Sequence, residues 1–348
     1  MVIYVSLLLF CALTGFMMNQ YNNRENKNYK YLCYMTFFSL FIVSAIRYDV
    51  GKDYMDTYVF TYKKVINGAN NIRMDIALML FYRVMAFFKS SAQWIFVITS
   101  FIINWFIYKS IDDQSENCQI SYWIYMCGMF YFFSMNGVRQ ALTISLFYYS
   151  LRYVREKNIK KYMFLNGLGC LFHTSAVIFL PLYFVLGKKI KFKFKMMLSL
   201  AVFLGGNILV PLISTFLLRT KYSMYLTNSA YSAQESFSFS MILNIVLFLL
   251  YEWSMKKKED DKSIIYSNIH FVGIIVTLFA TSLPLVMRVF VSFRFIEFLS
   301  VPHLINIQPR RKYRQLINAA VLAIYFVYFI WGVYVKNGNA VLPYQTVF

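Results

Sequence analysis

Charged side chains of both signs cluster in the segment Arg47-Tyr48-Asp49-Val50-Gly51-Lys52-Asp53-Tyr54, which directly follows an apolar run. It holds two acids and two bases within seven residues. Gly51 permits a tight turn that can aim these side chains back at the apolar segments. The pattern therefore makes the segment a candidate for a functional site, and an ordinary solvated loop is the alternative interpretation.

Three arginines lie at or inside apolar runs. Arg139, in Asn136-Gly137-Val138-Arg139-Gln140, sits where two runs meet, and Arg288 and Arg294 interrupt a nearly unbroken apolar stretch. Arginine at such a depth is costly unless it pairs with an anion or lines a polar cavity. Its fixed fork of donors suits phosphate oxygens, which favours a diphosphate ligand. The alternatives are that Arg139 snorkels to the interface and that Glu297 pairs with Arg294.

His173 stands among apolar neighbours and is either a satisfied core residue or a proton acceptor, since imidazole exchanges protons near neutral pH. The sequence shows no cluster of metal ligands, no Ser–His–Asp order and no glycine-rich phosphate loop, so no metal or other cofactor is predicted. Taken alone, these residues describe a polar cavity with arginines, aspartates and a histidine. Such a cavity fits a transferase acting on a lipid-linked anion, and it also fits a transporter.

The composition indicates which elements must position these residues. Apolar residues make up 59% of the 348 residues and charged residues only 14%. The apolar residues form runs near the length that spans a bilayer, roughly 20 residues of helix, and backbone groups in lipid must be paired within their own segment. The sequence thus predicts one integral membrane domain over 1–348, an all-α polytopic transmembrane bundle of about 11–12 membrane helices.

The net charge of +20 comes from basic clusters between the apolar runs, which favours cytoplasmic loops rather than nucleic-acid binding. This rule predicts both termini on the outer side, an outer segment 47–91 with an interfacial helix at 75–88, and an outer loop 219–237. Between the basic clusters 152–161 and 188–195, it predicts a short helical hairpin in 162–187. The hairpin should break near His173-Thr174-Ser175, with Thr174 or Ser175 capping the second arm.

Three short elements resemble a known family. Arg47-Tyr48-Asp49-Val50-Gly51-Lys52-Asp53-Tyr54 resembles the R-x-D-x-G-x-D-Y element of EpsG-like proteins, which belong with the Wzy-type polysaccharide polymerases. Asn136-Gly137-Val138-Arg139-Gln140-Ala141-Leu142 resembles the N-x-x-R-Q-x-[LI] element, and Leu171-Phe172-His173-Thr174-Ser175-Ala176 resembles F-H-x-S-A. The three elements occur in the same order along the chain as in the family. The chain departs from it at Lys52, where a small polar residue is common, and at Asp75, where the family often has a glutamate.

The resemblance implies an enzyme of the bacterial inner (cytoplasmic) membrane that joins oligosaccharide repeat units carried on undecaprenyl diphosphate. It would act on the outer face to make O-antigen, capsule or exopolysaccharide, and its diphosphate leaving group requires no cofactor. His173, or one of Asp49 and Asp53, would accept the proton of the acceptor hydroxyl. The implied residues for the diphosphate and the sugar are Arg47, Tyr54, Arg139, Gln140, Arg288 and Arg294.

Other membrane functions stay open at this point. A ligase that moves finished chain to lipid A core is chemically close, although it usually has a larger outer loop than 219–237. A flippase for lipid-linked sugars, a solute transporter and a membrane acyltransferase are the other classes. For a polymerase, the predicted partners are the undecaprenyl-diphosphate-linked oligosaccharide, the lipid bilayer and, optionally, a chain-length regulator protein.

Overall fold

The computed structural model describes residues 2–21, 23–69, 72, 74–219, 223, 226, 238–256, 259–279, 283 and 286–348. Helix dominates throughout these ranges, and the β-structure within them is one isolated antiparallel bridge between Arg47 and Thr346. This confirms the predicted all-α polytopic bundle. Most of the predicted outer loop 219–237 lies outside the described residues.

The helices follow the apolar runs of the sequence, although several runs are divided. In chain order they are α1 Val2–Met18, α2 Lys27–Ala45, α3 Phe60–Ile66, α4 Ile76–Phe87, α5 Gln93–Gln114, α6 Cys118–Cys127, α7 Phe130–Asn136, α8 Val138–Arg155, α9 Ile159–Phe172, α10 Tyr183–Leu186, α11 Phe192–Leu204, α12 Gly206–Leu218, α13 Phe239–Met255, α14 Asp261–Thr277, α15 Val286–Arg294, α16 Glu297–Asn306 and α17 Arg311–Phe329. Two π-helical turns, Tyr54–Val59 and Ile330–Val335, and a 3-10 helix, Thr174–Phe179, complete the helical structure within the described ranges.

The chain forms two compact units. The first combines Met1–Tyr183 with Glu297–Phe348, and the second is Phe184–Ile296. In the first unit α8 is largely buried and packs against α5 on one side and α9 on another, while α1 packs against α2 and α6. The first residues of α8 therefore lie at the end of a well-packed group of helices, where they are held firmly.

Three stretches in the described part of the chain are long and apolar enough to cross a membrane alone: Gln93–Gln114, Val286–Asn306 and Arg311–Val335. The pair α11 and α12 qualifies together but is bent by 72°, as expected for a broken span or a re-entrant loop. The other apolar helices, such as α1 and α13, have 10–17 residues. Such helices are shorter than the roughly 20 residues that span a bilayer, so they can cross it only together with their flanking turns. The predicted total of about 11–12 membrane helices therefore stays a prediction.

The helical hairpin predicted in 162–187 is visible as a reversal of the chain. The Tyr162 hydroxyl donates to the carbonyl of Phe179 at 2.7 Å. In a continuous helix these two residues would lie about 25 Å apart, so the chain must fold back between them. The turning point is His173, whose backbone is extended (φ −154°, ψ 112°). The second arm begins as the 3-10 helix Thr174–Phe179 and ends in the short α10.

The second unit contains a buried ion pair that the loop prediction did not foresee. Lys195 was counted in the basic cluster 188–195, but it lies in α11 and is only 1% exposed. Its ammonium group donates to Glu252 at 2.7 Å and to the Ser267 hydroxyl at 2.9 Å. One of the five basic residues therefore serves internal packing rather than the surface of a loop.

Candidate functional site

The buried carboxylate of Asp75 joins two of the sequence elements described above. Asp75 lies immediately before α4, and its side chain is 1% exposed. Its Oδ2 lies 3.0 Å from Nη1 of Arg139 and 3.5 Å from Nδ1 of His173. Its Oδ1 accepts a hydrogen bond of 2.8 Å from the hydroxyl of Thr174. These four residues, Asp75, Arg139, His173 and Thr174, are called the Asp75 cluster below.

Arg139 is placed at the cluster by the start of α8. It is the second residue of that helix, and its side chain is 31% exposed, so the guanidinium contacts Asp75 while part of it stays open. The backbone N–H of Arg139 points at the Tyr58 hydroxyl, 3.4 Å away. The helix dipole favours anions at a helix N-terminus. The half-buried Gln140 lies beside it, so the position suits an anion that approaches from the open side.

His173 reaches the cluster because the hairpin turns there. Its extended backbone ends α9, and its imidazole is 20% exposed. The prediction that Thr174 or Ser175 caps the second arm is wrong: the cap position is His173 itself, without a side-chain capping bond. The Thr174 hydroxyl instead donates to Asp75. A hydrogen bond to a charged carboxylate is stronger than the neutral bond that a hydroxyl makes when it caps a helix.

Arg47, a predicted diphosphate residue, is buried and its donors are directed at the protein. Its side chain is 1% exposed and donates to the carbonyl of Ser44, to the Ser100 hydroxyl at 3.2 Å and to the carbonyl of Met135 at 3.3 Å. The guanidinium also lies 4.7 Å above the ring of Phe96. Burial lowers the pKa of Arg47 to about 10, so it stays charged at neutral pH. Arg47 therefore links the first sequence element, to which it belongs, to the residue that precedes the second element.

Gly51 and Asn136 join the same two elements more closely. Gly51 has a φ of +101°, and a Cβ added there would lie 2.6 Å from the carbonyl oxygen of Met135. The backbone N–H of Asp53 donates to Oδ1 of Asn136 at 3.1 Å. The tight turn predicted at Gly51 is confirmed, and it packs the charged segment directly on the residues that precede α8.

We expect Gly51→Ala to lower the free energy of unfolding by about 2–3 kcal/mol, because it combines a left-handed backbone with a clash against Met135. Gly68→Ala is the matched control, since Gly68 also has a positive φ (+74°) but would meet no atom within 4 Å. Thermal unfolding of both variants in the same detergent measures the difference. Equal losses would show that the contact with Met135 has no energetic weight.

The other residues of the first element are placed differently from one another. Asp49 is exposed and has a positive φ of 51°, whereas Asp53 is half-buried and precedes the π-helical turn. Tyr54 is buried, stacks on Phe96 at 4.0 Å and donates its hydroxyl to Gln93 at 2.7 Å. Of the two aspartates, Asp53 is the one held against the second element.

The C-terminal tail covers the first element. Tyr48 donates its backbone N–H to Gln345 at 2.9 Å, and Gly51 donates to Ala340 at 2.9 Å. Tail and segment together line a cavity of about 670 Å³. Its lining includes the aromatic and polar side chains of Tyr48, Tyr54, Lys63, Gln93, Thr346 and Phe348.

Arg288 and Arg294 belong to the second unit, where both lie on α15. Arg288 is exposed, whereas Arg294 is buried. In the sequence, both arginines interrupt the same apolar stretch, and nothing distinguishes them. In the structure they lie on different sides of one short helix.

Asp75 is the residue that sequence reasoning undervalued. It appeared only as the start of the predicted helix 75–88 and as a departure from the family's glutamate. The available signal was an acidic residue at the first position of an apolar helix, which has to be paired if it is buried. Among the residues that the structure describes, no three His, Cys, Asp or Glu side chains are grouped as metal ligands.

Comparison with known proteins identifies the family of the chain. The model of the EpsG family matches residues 30–346, which include all three sequence elements and Asp75. No curated protein and no solved structure matches the chain. Because the match extends over nearly the whole sequence, the chain belongs to the EpsG family of membrane proteins of polysaccharide biosynthesis.

Proposed function

We propose that the protein polymerises oligosaccharide repeat units carried on undecaprenyl diphosphate, at the outer face of the bacterial inner membrane. The observation that carries this proposal is that three separated sequence elements pack together, two of them at the Asp75 cluster. The second and third elements meet on the carboxylate itself, through Arg139 and His173. The first is fastened to the second by Asn136 and Gly51.

The proposed step is a glycosyl transfer between two lipid-linked sugars. A hydroxyl oxygen of the incoming unit attacks the anomeric carbon of the growing chain, and a new glycosidic C–O bond forms. The bond from that carbon to the diphosphate oxygen breaks, and the lipid diphosphate leaves with the bonding electrons. The hydroxyl proton passes to a protein base. The step therefore needs a group that binds a diphosphate of increasing charge and a group that accepts a proton.

Arg139 is proposed to bind the leaving diphosphate, assisted by Gln140 and the N-terminus of α8. Its guanidinium is partly exposed and already oriented by Asp75, so little order has to be gained when the anion binds. We propose a positioning role for Arg47, whose donors are directed at the protein. The participation of Arg288 and Arg294 remains a prediction from the sequence.

His173 is proposed to accept the proton. Its Nδ1 lies 3.5 Å from Oδ2 of Asp75 without a hydrogen bond, a separation that has to shorten when substrate binds, and Nε2 is left for the acceptor hydroxyl. A carboxylate behind an imidazole fixes the ring and stabilises the imidazolium that forms. Asp75 would then serve both halves of the reaction, since it also orients Arg139. Asp53 and Asp49 are the alternative bases.

The cavity between the first element and the tail is proposed to hold sugars of the incoming unit. Its lining combines the rings of Tyr48 and Tyr54 with hydrogen-bonding groups such as Gln93 and Thr346. Aromatic faces pack against sugar rings while amides and hydroxyls bind their hydroxyl groups. The π-helical turn connects this cavity with the Asp75 cluster, because Tyr54 and Val59 on that turn line the cavity and Tyr58 contacts Arg139.

A gel of surface polysaccharide from a strain that lacks the protein tests the proposal. We expect long chains to collapse to single lipid-linked repeat units and to return on complementation with the wild-type gene. An unchanged ladder would overturn the polymerase assignment. Complete loss of surface units would instead favour a flippase, and full-length chains that lack an ester would favour an acyltransferase.

A further inference from the structure

A second polar cavity, of about 580 Å³, lies in the first unit far from the Asp75 cluster. Its walls come from one face of α17, the end of α16, and the residues between α5 and α6. On α17 the lining positions are separated by three, one and three residues, the spacing of a single helix face. The lining residues are Asn19, Glu116, Asn117, Pro302, Ile305, Asn306, Arg311, Arg314, Gln315 and Asn318.

The helices of the first unit place this cavity at the opposite end of the bundle from the Asp75 cluster. Near the start of α1 the hydroxyl of Tyr4 contacts Met135, next to the second sequence element. At the other end of α1, Asn19 lines the cavity. Tyr4 and Asn19 are 15 residues apart, so these points are separated by about 22 Å along α1. The cavity and the start of the second sequence element therefore lie at opposite ends of α1, most of one hydrocarbon thickness apart.

The cavity has unused hydrogen-bond donors and a positive charge. Within the described residues, Arg311 and Arg314 have no carboxylate within ion-pair distance, and the amides of Asn306 and Gln315 make no hydrogen bond to protein. One carboxylate, Glu116, also lines the cavity, and its Oε1 lies 3.2 Å from Nδ1 of His303. With Arg311 and Arg314 the lining keeps a net positive charge. Two guanidinium groups with neighbouring amides form a site for a phosphate-type anion.

The surface next to the cavity is suited to hydrocarbon. Along α17 and the π-helical turn that follows it, only 22% of the apolar window is buried. Leu316 and Val327 are each 67% exposed, and Ile324 is 50% exposed. Pro302 and Ile305 give the cavity itself an apolar side. A ligand with an anionic head and long apolar tails fits both features, whereas a free anion uses only the first.

We propose that this cavity binds the phosphate headgroup of an anionic phospholipid, whose acyl chains lie along the exposed face of α17. Basic pockets at the ends of membrane helices are suited to such headgroups. The lipid would belong to the leaflet away from the Asp75 cluster and would hold α16 and α17 together at their junction. This inference is independent of the proposed polymerase activity.

The test compares the purified full-length protein in nanodiscs of phosphatidylcholine with and without phosphatidylglycerol. The variant Arg311→Gln/Arg314→Gln removes both guanidinium groups from the cavity. Arg310→Gln/Lys312→Gln is the matched control, since it removes two charges from the same helix start at positions that do not line the cavity. The readouts are the Tm and the number of phosphatidylglycerol molecules retained in native mass spectrometry.

We expect phosphatidylglycerol to raise the Tm of the wild type and of the control. The cavity variant should retain roughly 10- to 30-fold less phosphatidylglycerol than the wild type, at a few-fold per arginine. Equal retention by both double variants would overturn the proposal. Inorganic phosphate added in detergent is the second arm, and stabilisation equal to that by the lipid would overturn the assignment to a lipid. If the cavity variant does not fold, Asn306→Asp places a negative charge in the same cavity and is expected to weaken lipid retention.

Discussion

Replacing Arg139 with alanine is expected to abolish long chains and to leave single lipid-linked repeat units. The variant removes the guanidinium that we assign to the leaving diphosphate, and loss of one such preorganised donor typically slows a reaction by roughly 10²–10³-fold. Arg139→Lys keeps the charge but loses the fork of donors, so we expect an intermediate loss. Chain-length gels of a complemented null strain measure both effects at matched expression.

A folding effect has to be separated from this loss. Without Arg139 the carboxylate of Asp75, which is 1% exposed, loses its charged partner. Breaking such a pair costs roughly 2–4 kcal/mol, less than for a fully buried pair because Arg139 is 31% exposed. In Arg139→Ala/Asp75→Asn the remaining group is neutral, so we expect the Tm to recover while long chains stay absent.

Arg83→Ala provides the control for charge. Arg83 is an exposed residue of α4, the helix that Asp75 precedes, and it has no role in the proposed site. The control should keep the wild-type ladder. If Arg139→Ala, present at the wild-type level, also gave the wild-type ladder, the diphosphate assignment of Arg139 would be wrong.

The sequence predicted the residue types of this site better than their arrangement. Arg139 and His173 were recognisable because charged or titratable groups in apolar runs need a reason to be there. An acidic residue before an apolar helix indicates that Asp75 needs a partner, but not which one, because Asp75 lies 64 residues from Arg139 and 99 residues from Thr174. A contact over such a separation follows from the packing of α4, α8 and α9, which no local pattern records.

Arg47 shows the opposite case. In the sequence it stands beside acidic residues and after an apolar helix, as a ligand-binding arginine would. In the structure it is enclosed by α5, by the residues before α8 and by a C-terminal tail that pairs with it at Thr346. Whether the donors of an arginine face a cavity or the protein depends on such distant segments, so burial was not predictable from its neighbours in sequence.

Hydropathy located the helices and missed their breaks. Residues 119–135 form one apolar run in the sequence, but the structure divides them into α6 and α7 at Met129, whose φ is +75°. The run 194–218 likewise bends by 72° between α11 and α12, around Gly205. A single residue in an unusual backbone conformation hardly changes the mean hydropathy of a segment, so such breaks leave the pattern intact.

Replacing His173 with glutamine is expected to stop chain growth while the protein stays folded. Glutamine can still donate and accept hydrogen bonds near Asp75, but it cannot take up the proton of the acceptor hydroxyl. Loss of a general base typically costs roughly 10²–10⁴-fold in rate. The measurement is the elongation rate in membranes supplied with lipid-linked repeat units, compared with Thr174→Val, which removes only a hydroxyl bonded to Asp75.

The role of Asp75 behind His173 can be tested in the same assay. If Asp75 orients both the imidazole and Arg139, then Asp75→Asn/His173→Gln should elongate chains more slowly than His173→Gln alone, but by less than the product of the two single losses, because residues that act as a unit are not additive. Additive losses would instead mean that Asp75 serves the diphosphate through Arg139 and that the 3.5 Å approach to His173 is incidental. Wild-type elongation by His173→Gln would move the base to Asp53, which Asn136 holds against the second element.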